Sequence, residues 1–199
     1  MLSSNKITSF IAKPVLFLLC LIPLAWLVWG ALNETLGANP VETMTRETGE
    51  WTLRFLLITL MVTPARRILN LPWLIKLRRM LGLFVFFYAV MHLLTYVWFD
   101  QFFNVNEIIK DIIKRPFITV GFTAFILLIP LALTSNKAMI RRLKKNWVKL
   151  HQLIYMISVL AVLHFIWLVK ADYKQPIIYT VILLLLLSYR AYHQRKKAS

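Results

Sequence analysis

Residues 146–170 read NWVKLHQLIYMISVLAVLHFIWLVK, an apolar run of helix length that carries two histidines, His151 and His164, and almost nothing else polar. About 20 apolar residues are enough to cross a bilayer. An ionisable side chain inside such a run is costly enough to mark a functional site. His164, flanked by Leu163 and Phe165, lies deep in the run, whereas His151 follows Lys149 by two residues and sits near a membrane–water boundary. The two histidines therefore carry separate expectations.

The remainder of the chain belongs to the same physical class. Of its 199 residues, 59% are hydrophobic and 16% charged, against about half and a quarter in soluble domains. The excess of 24 Lys and Arg over 8 Asp and Glu would suggest nucleic acid in a soluble protein. Here the basic residues cluster between apolar runs, as in loops that face the cytoplasm, so no nucleic-acid role is expected. Cys20, the one cysteine, lies within the first apolar run. A single cysteine excludes an internal disulfide, a thiolate-held iron–sulfur cluster and covalent haem attachment.

Six spans are expected in a single domain over residues 1–199, giving an all-α transmembrane helical bundle. The first, 14–32, follows Lys6 and Lys13. It is long, holds Trp26 and Trp29, and lacks a small-x-small cleavage site, so it reads as a retained span. An acidic external loop is expected over 33–50, then a short second span over 51–63. A basic link over 65–79 precedes the third span, 80–99, which is rich in aromatics and contains His92. A loop of mixed charge over 100–116 leads to the fourth span, 117–134. The strongly basic link 135–149 leads to the histidine-bearing fifth span, 147–170, and a sixth follows over 176–189. The N-terminus, the second and fourth links and the C-terminus hold 17 of the 24 Lys and Arg, while the other three links hold 6. This asymmetry puts both termini in the cytoplasm. No internal repeat is evident at periods of 20 to 50 residues.

With that orientation the third and fifth spans run the same way, so depth is read directly along each. His92 lies eight residues before Asp100 and His164 six before Lys170. At 1.5 Å per residue both stand about 10 Å inside the outer charged boundary. Two neutral imidazoles at one depth supply the two axial nitrogens of a six-coordinate haem iron, with apolar helices forming the pocket. Ala89 and Ala161, each three residues before its histidine, leave room for the macrocycle.

His151 has no such partner, because the matching depth on the third span holds Arg78 and Arg79. The 13-residue step from His151 to His164 also leaves them about 140° apart around an ideal helix. A second haem, a flavin or quinone site, and an interface histidine all stay open for His151. Arg78 and Arg79 join it in a basic cluster suited to an anionic phosphate. His193 reads as a solvated tail residue, and the aromatic run 84–88 as packing. No catalytic residue is assigned. The competing classes are a transporter or assembly factor with proton-handling histidines, and a stand-alone haem ferric or oxygen reductase. The first would favour Gly-broken spans, yet only 5 glycines are present. The second would need a separate donor, since no Gly-rich nucleotide fingerprint appears.

Several strings resemble the MsrQ (YedZ) family: GANPVE (37–42), ITLMVTPARR (58–67), RRMLGLFVFFYAVMHLLTY (78–96), RPFITVG (115–121), LALTSN (131–136), WVKLHQLIY (147–155) and HFIWLVK (164–170). The likeness spans nearly the whole chain. These proteins are haem-binding membrane subunits of the bacterial periplasmic methionine sulfoxide reductase system, within the ferric reductase and NADPH oxidase membrane-domain superfamily. The resemblance implies a multi-pass b-type cytochrome of the bacterial inner membrane. It would draw electrons from the quinone pool or a cytoplasmic flavin reductase and pass them to a periplasmic molybdopterin-containing methionine sulfoxide reductase. That makes it an electron-transfer subunit, with haem b and, by family association, FMN as cofactors, and membrane lipid around it. His92, His151 and His164 fall on the family's histidine positions. Relatives in the oxidase branch have a second histidine on the third span, where this chain has Arg78 or Arg79.

The charge asymmetry makes a direct prediction. Alkaline phosphatase fused after Ser199 is expected to be inactive and a fluorescent protein fused there to be bright; the opposite pair of results would contradict the orientation.

Overall fold

The computed structural model describes residues 4–198, and they are helical with short connections. They form two compact units, divided between Phe103 and Asn104. Five helices among the described residues are long and apolar enough to cross a membrane: Ile11–Leu32, Arg78–Asp100, Pro116–Leu133, Lys145–Leu168 and Lys174–Lys196. The chain is a multi-pass membrane protein. The second expected span, 51–63, lies in a 29-residue helix that is long enough but not apolar enough to meet those limits.

In the first unit, α1 (Ser4–Leu32) carries Pro14 and Pro23 inside it. α2 (Pro40–Ile68) begins where a loop was expected to continue to residue 50. Its start is encoded locally: the Asn39 side chain accepts from the Glu42 backbone N–H at 3.2 Å, and Pro40 occupies the first turn, where a missing N–H costs nothing. A 3-10 turn, Pro72–Lys76, leads into α3 (Arg78–Thr95), which ends in a π turn at Tyr96–Asp100. α3 packs chiefly on α2. Phe55 of α2 lies 5.2 Å from the Tyr88 ring and 6.0 Å from that of Phe84, and Phe17 of α1 lies 5.3 Å from Phe84. The aromatic run of the third span is thus packing, as its sequence suggests.

Tyr88, with no exposed surface, also repairs α1. Its hydroxyl accepts from Leu24 N–H at 3.2 Å and donates to Cys20 C=O at 2.8 Å. Those two groups would bond each other in a regular helix. The hydroxyl is inserted into the ladder beside Pro23, one of the recognised causes of a helix bend.

In the second unit, α4 (Val105–Lys114) replaces most of the loop expected over 100–116. Asn104 caps it through Glu107 N–H at 3.3 Å. α5 (Pro116–Leu133) follows directly, and α4 packs on it. The basic link expected over 135–149 contains α6 (Lys137–Leu143) and the start of α7 (Lys145–His151), separated by Lys144 at φ +50°. The histidine-bearing span expected as one helix over 147–170 is α7 followed by α8 (Leu153–Leu168). At the junction the Gln152 N–H is shared between the carbonyls of Val148, at 3.1 Å, and Lys149, at 3.2 Å. That bifurcation tightens one turn without a proline or glycine. α8 packs mainly on α5, and α9 (Lys174–Ala198) packs on α8. α9 extends well beyond the span expected over 176–189.

Removing the inserted hydroxyl tests this packing. Tyr88→Phe is expected to lower stability by about 1–3 kcal/mol, the cost of a buried polar group losing its partner, with denaturant titration in detergent as the readout.

Candidate functional site

The site begins with two carbonyls. In the first unit, His92 of α3 faces the second turn of α2, where its Nδ1 lies 2.8 Å from the Thr45 C=O. In the second unit, His164 of α8 faces the first turn of α5, where its Nδ1 lies 2.7 Å from the Phe117 C=O. A carbonyl only accepts, so Nδ1 must be the protonated nitrogen in both rings. In a neutral imidazole the lone pair then resides on Nε2. This is the protonation pattern of a metal-ligating histidine whose other nitrogen is held by a backbone carbonyl.

The donor chemistry of both residues therefore fits a haem iron. Each helix presents an aromatic nitrogen base of fixed tautomer, and Ala89, three residues before His92, is buried. The Thr45 hydroxyl adds a buried oxygen without a protein hydrogen-bond partner on the turn that holds His92.

Two glycines complete the surroundings. Gly49 stands against the His92 ring and Gly121 against the His164 ring. Neither glycine nor either carbonyl follows from helical periodicity. Backbone acceptors leave no mark in a sequence; the visible trace is that two of only 5 glycines lie one turn beyond the carbonyl residues.

His151 is built differently. At the end of α7 its Nδ1 bonds its own helix, 3.1 Å from the Trp147 C=O, and its ring stacks on Trp147 at 3.9 Å. Its Nε2 lies 3.4 Å from the Ser135 hydroxyl, which is 2.6 Å from the Leu131 C=O. Trp147 is held in turn by its Nε1–H, 3.0 Å from the Thr134 C=O. His151 belongs to the second unit, whereas Arg78, half-buried, and Arg79, exposed, open α3 in the first. His193 bonds the Tyr189 C=O at 3.0 Å and lies against that ring at 4.1 Å, so it is tied to its own helix.

Two clefts lie within the units. One, of about 400 Å³, runs between α1 and α2 and is lined in part by Trp26, Glu47, Trp51 and Arg54. Arg54 sits 4.6 Å above the Trp51 ring and pairs with the buried Glu50. The other, of about 350 Å³, is bounded by Pro116, Phe117 and Trp167, beside the carbonyl that holds His164. Neither cleft is lined by Arg78, Arg79 or His151.

Among the described residues no group of three or more His, Cys, Asp or Glu is arranged to hold a metal ion by itself.

A family described as "ferric reductase like transmembrane component" matches residues 48–162, a stretch that contains Gly49, His92, Gly121 and His151 and ends two residues before His164. Proteins named "protein-methionine-sulfoxide reductase heme-binding subunit MsrQ" match nearly the whole chain. The one from Herminiimonas arsenicoxydans is 53% identical over 190 residues, 94% of this chain and 87% of that protein. Another, from Caulobacter vibrioides, is 46% identical over 196 residues, 98% and 93% of the two chains. A third, from Azospira oryzae, is 52% identical over 180 residues, 89% and 77%. No solved structure matches.

Proposed function

This chain belongs to the MsrQ family of haem-binding subunits of protein-methionine-sulfoxide reductase, a branch of the ferric reductase-like membrane proteins, and from that premise we propose that it is a b-type cytochrome carrying electrons across the bacterial inner membrane. The electrons come from the quinone pool or a cytoplasmic flavin reductase. They go to a periplasmic molybdopterin-containing reductase that repairs oxidised methionine in proteins. The chain acts as one six-span domain with α2 as its second span and both termini in the cytoplasm. The basic asymmetry of the links supports that orientation.

The observation that carries the reading is the shared state of His92 and His164: each imidazole gives its Nδ1 proton to a helix carbonyl and so has Nε2 as its ligand nitrogen. We assign them as the residues whose Nε2 atoms would hold the iron of haem b. Bound haem supplies a one-electron carrier, its iron alternating between ferric and ferrous. The residues of the chain would hold it through the two imidazoles, each oriented by its own helix carbonyl. The carbonyl bonds raise the basicity of each imidazole and favour the ferric state. A proton-handling role fits less well, since the Nδ1 protons are committed to backbone acceptors that cannot pass them on.

Reducing equivalents enter at the cytoplasmic side, where Arg78, Arg79 and His151 serve a flavin such as FMN, a quinone or a second haem. Arginine side chains suit the phosphate of a flavin. The segments 33–50 and 100–116 form the outer docking surface for the reductase.

Visible difference spectra of purified wild type and variants test the assignment. His92→Ala and His164→Ala are expected to lose the reduced b-type bands, while His151→Ala keeps them; a full b-type spectrum in either of the first two would contradict it.

A further inference from the structure

The two histidine settings are the same device built twice. Adding 72 to the numbers of Thr45, Gly49 and His92 gives Phe117, Gly121 and His164. In both units the carbonyl residue is 47 positions before the histidine, and glycine stands four residues after the carbonyl. The match extends along the histidine helices as AVMH at 89–92 and AVLH at 161–164.

The glycines have a specific geometric consequence. In a helix the carbonyl of residue i points toward the N–H of residue i+4, and side chains at i and i+4 share a face. The Cβ of residue i+4 therefore stands beside the carbonyl and blocks a second donor from that side. Only glycine leaves it bare. A Cβ on Gly49 would lie 2.9 Å from His92 Cε1 and 3.0 Å from its Nδ1. One on Gly121 would lie 2.7 Å from His164 Nδ1 and 2.9 Å from its Cε1. Both approaches are closer than real side chains make, and each ring is pinned by a bond to the turn below.

Close approach is not common to every helical glycine of the bundle. Gly82, on α3, would place its Cβ 4.0 Å from Thr59 Cγ2, an ordinary contact. Glycine is also the poorest helix former after proline, so its presence inside α2 and α5 calls for a local reason. The carbonyl donors, Thr and Phe, have unrelated side chains, as expected where only the backbone is used, while the residue one turn on is glycine both times.

We infer that Gly49 and Gly121 are positioning residues that seat the His92 and His164 imidazoles, each by exposing one helix carbonyl to Nδ1–H and letting the ring come up against the backbone. The inference rests on the haem reading above. A methyl group at either site pushes the ring off its carbonyl, which weakens the ligand and removes the bond that favours ferric iron.

The test uses the full-length haem-loaded protein in detergent, comparing Gly49→Ala and Gly121→Ala with Gly82→Ala. Haem affinity is expected to fall about 10- to 100-fold in the first two, the usual cost of losing an outer-shell partner. Their midpoint potentials should also rise, with Gly82→Ala matching wild type in both respects. If all three match wild type while His92→Ala and His164→Ala lose haem, the positioning role is wrong and the ligand assignment stands. If the histidine variants keep haem, both fail. Nitrogen-15 spectra of the reduced wild type supply a measurement that no misfolded variant can spoil: Nδ1–H tautomers with hydrogen-bonded shifts are expected for His92 and His164, and their absence would overturn the inference.

Discussion

A neutral imidazole has one proton to give and one lone pair to offer, and fixing the first fixes the second. In this protein both fixings are made by backbone. The Thr45 and Phe117 carbonyls take the Nδ1 protons of His92 and His164, and the basic nitrogen of each ring is thereby chosen without any carboxylate. A membrane gives this arrangement its value. A carbonyl already inside a helical turn carries no net charge, so it orients the ring without the penalty of an ionised carboxylate in an apolar medium.

The same scarcity of polar partners shapes the scaffold. Where Pro23 disturbs α1, the neighbouring backbone groups of Cys20 and Leu24 find the Tyr88 hydroxyl instead of water, as lipid requires of any broken helical turn. The hydroxyls of Thr59 and Ser158 follow the rule too, donating to carbonyls one turn back, at 2.7 Å and 2.6 Å. At the helix starts, Asn39, Asn104 and Asn136 accept from backbone N–H groups that the helices leave unpaired. At Pro23 and at the starts of α2, α4 and α6, backbone groups that the helical ladder leaves unpaired are met by a nearby side chain.

Hydropathy and charge made the membrane class and the all-helical fold legible, because each depends on the cost of polar groups in lipid; the same cost singled out His92 and His164, which the structure holds on helix carbonyls. Other features were legible but outweighed. The segments 40–50 and 105–114 look like loops by their charge, yet Asn39 with Pro40 and Glu42, and Asn104 with the isoleucines that follow, are local helix-start signals. The tightened turn at Gln152 has no composition signature, since it arises from a shared N–H. The carbonyl partners of the histidines were invisible for the same reason: any residue has a carbonyl. Gly49 and Gly121 acquire meaning only when the ring against each is known, and the 72-residue correspondence that links them lies beyond the repeat lengths of common solenoids.

The direct test of bis-histidine ligation is near-infrared magnetic circular dichroism of the purified ferric protein, which responds to the chemical identity of the axial pair. The account predicts a low-spin haem with the charge-transfer band of two neutral imidazoles. A high-spin spectrum, or a band of imidazole paired with another ligand, would contradict it.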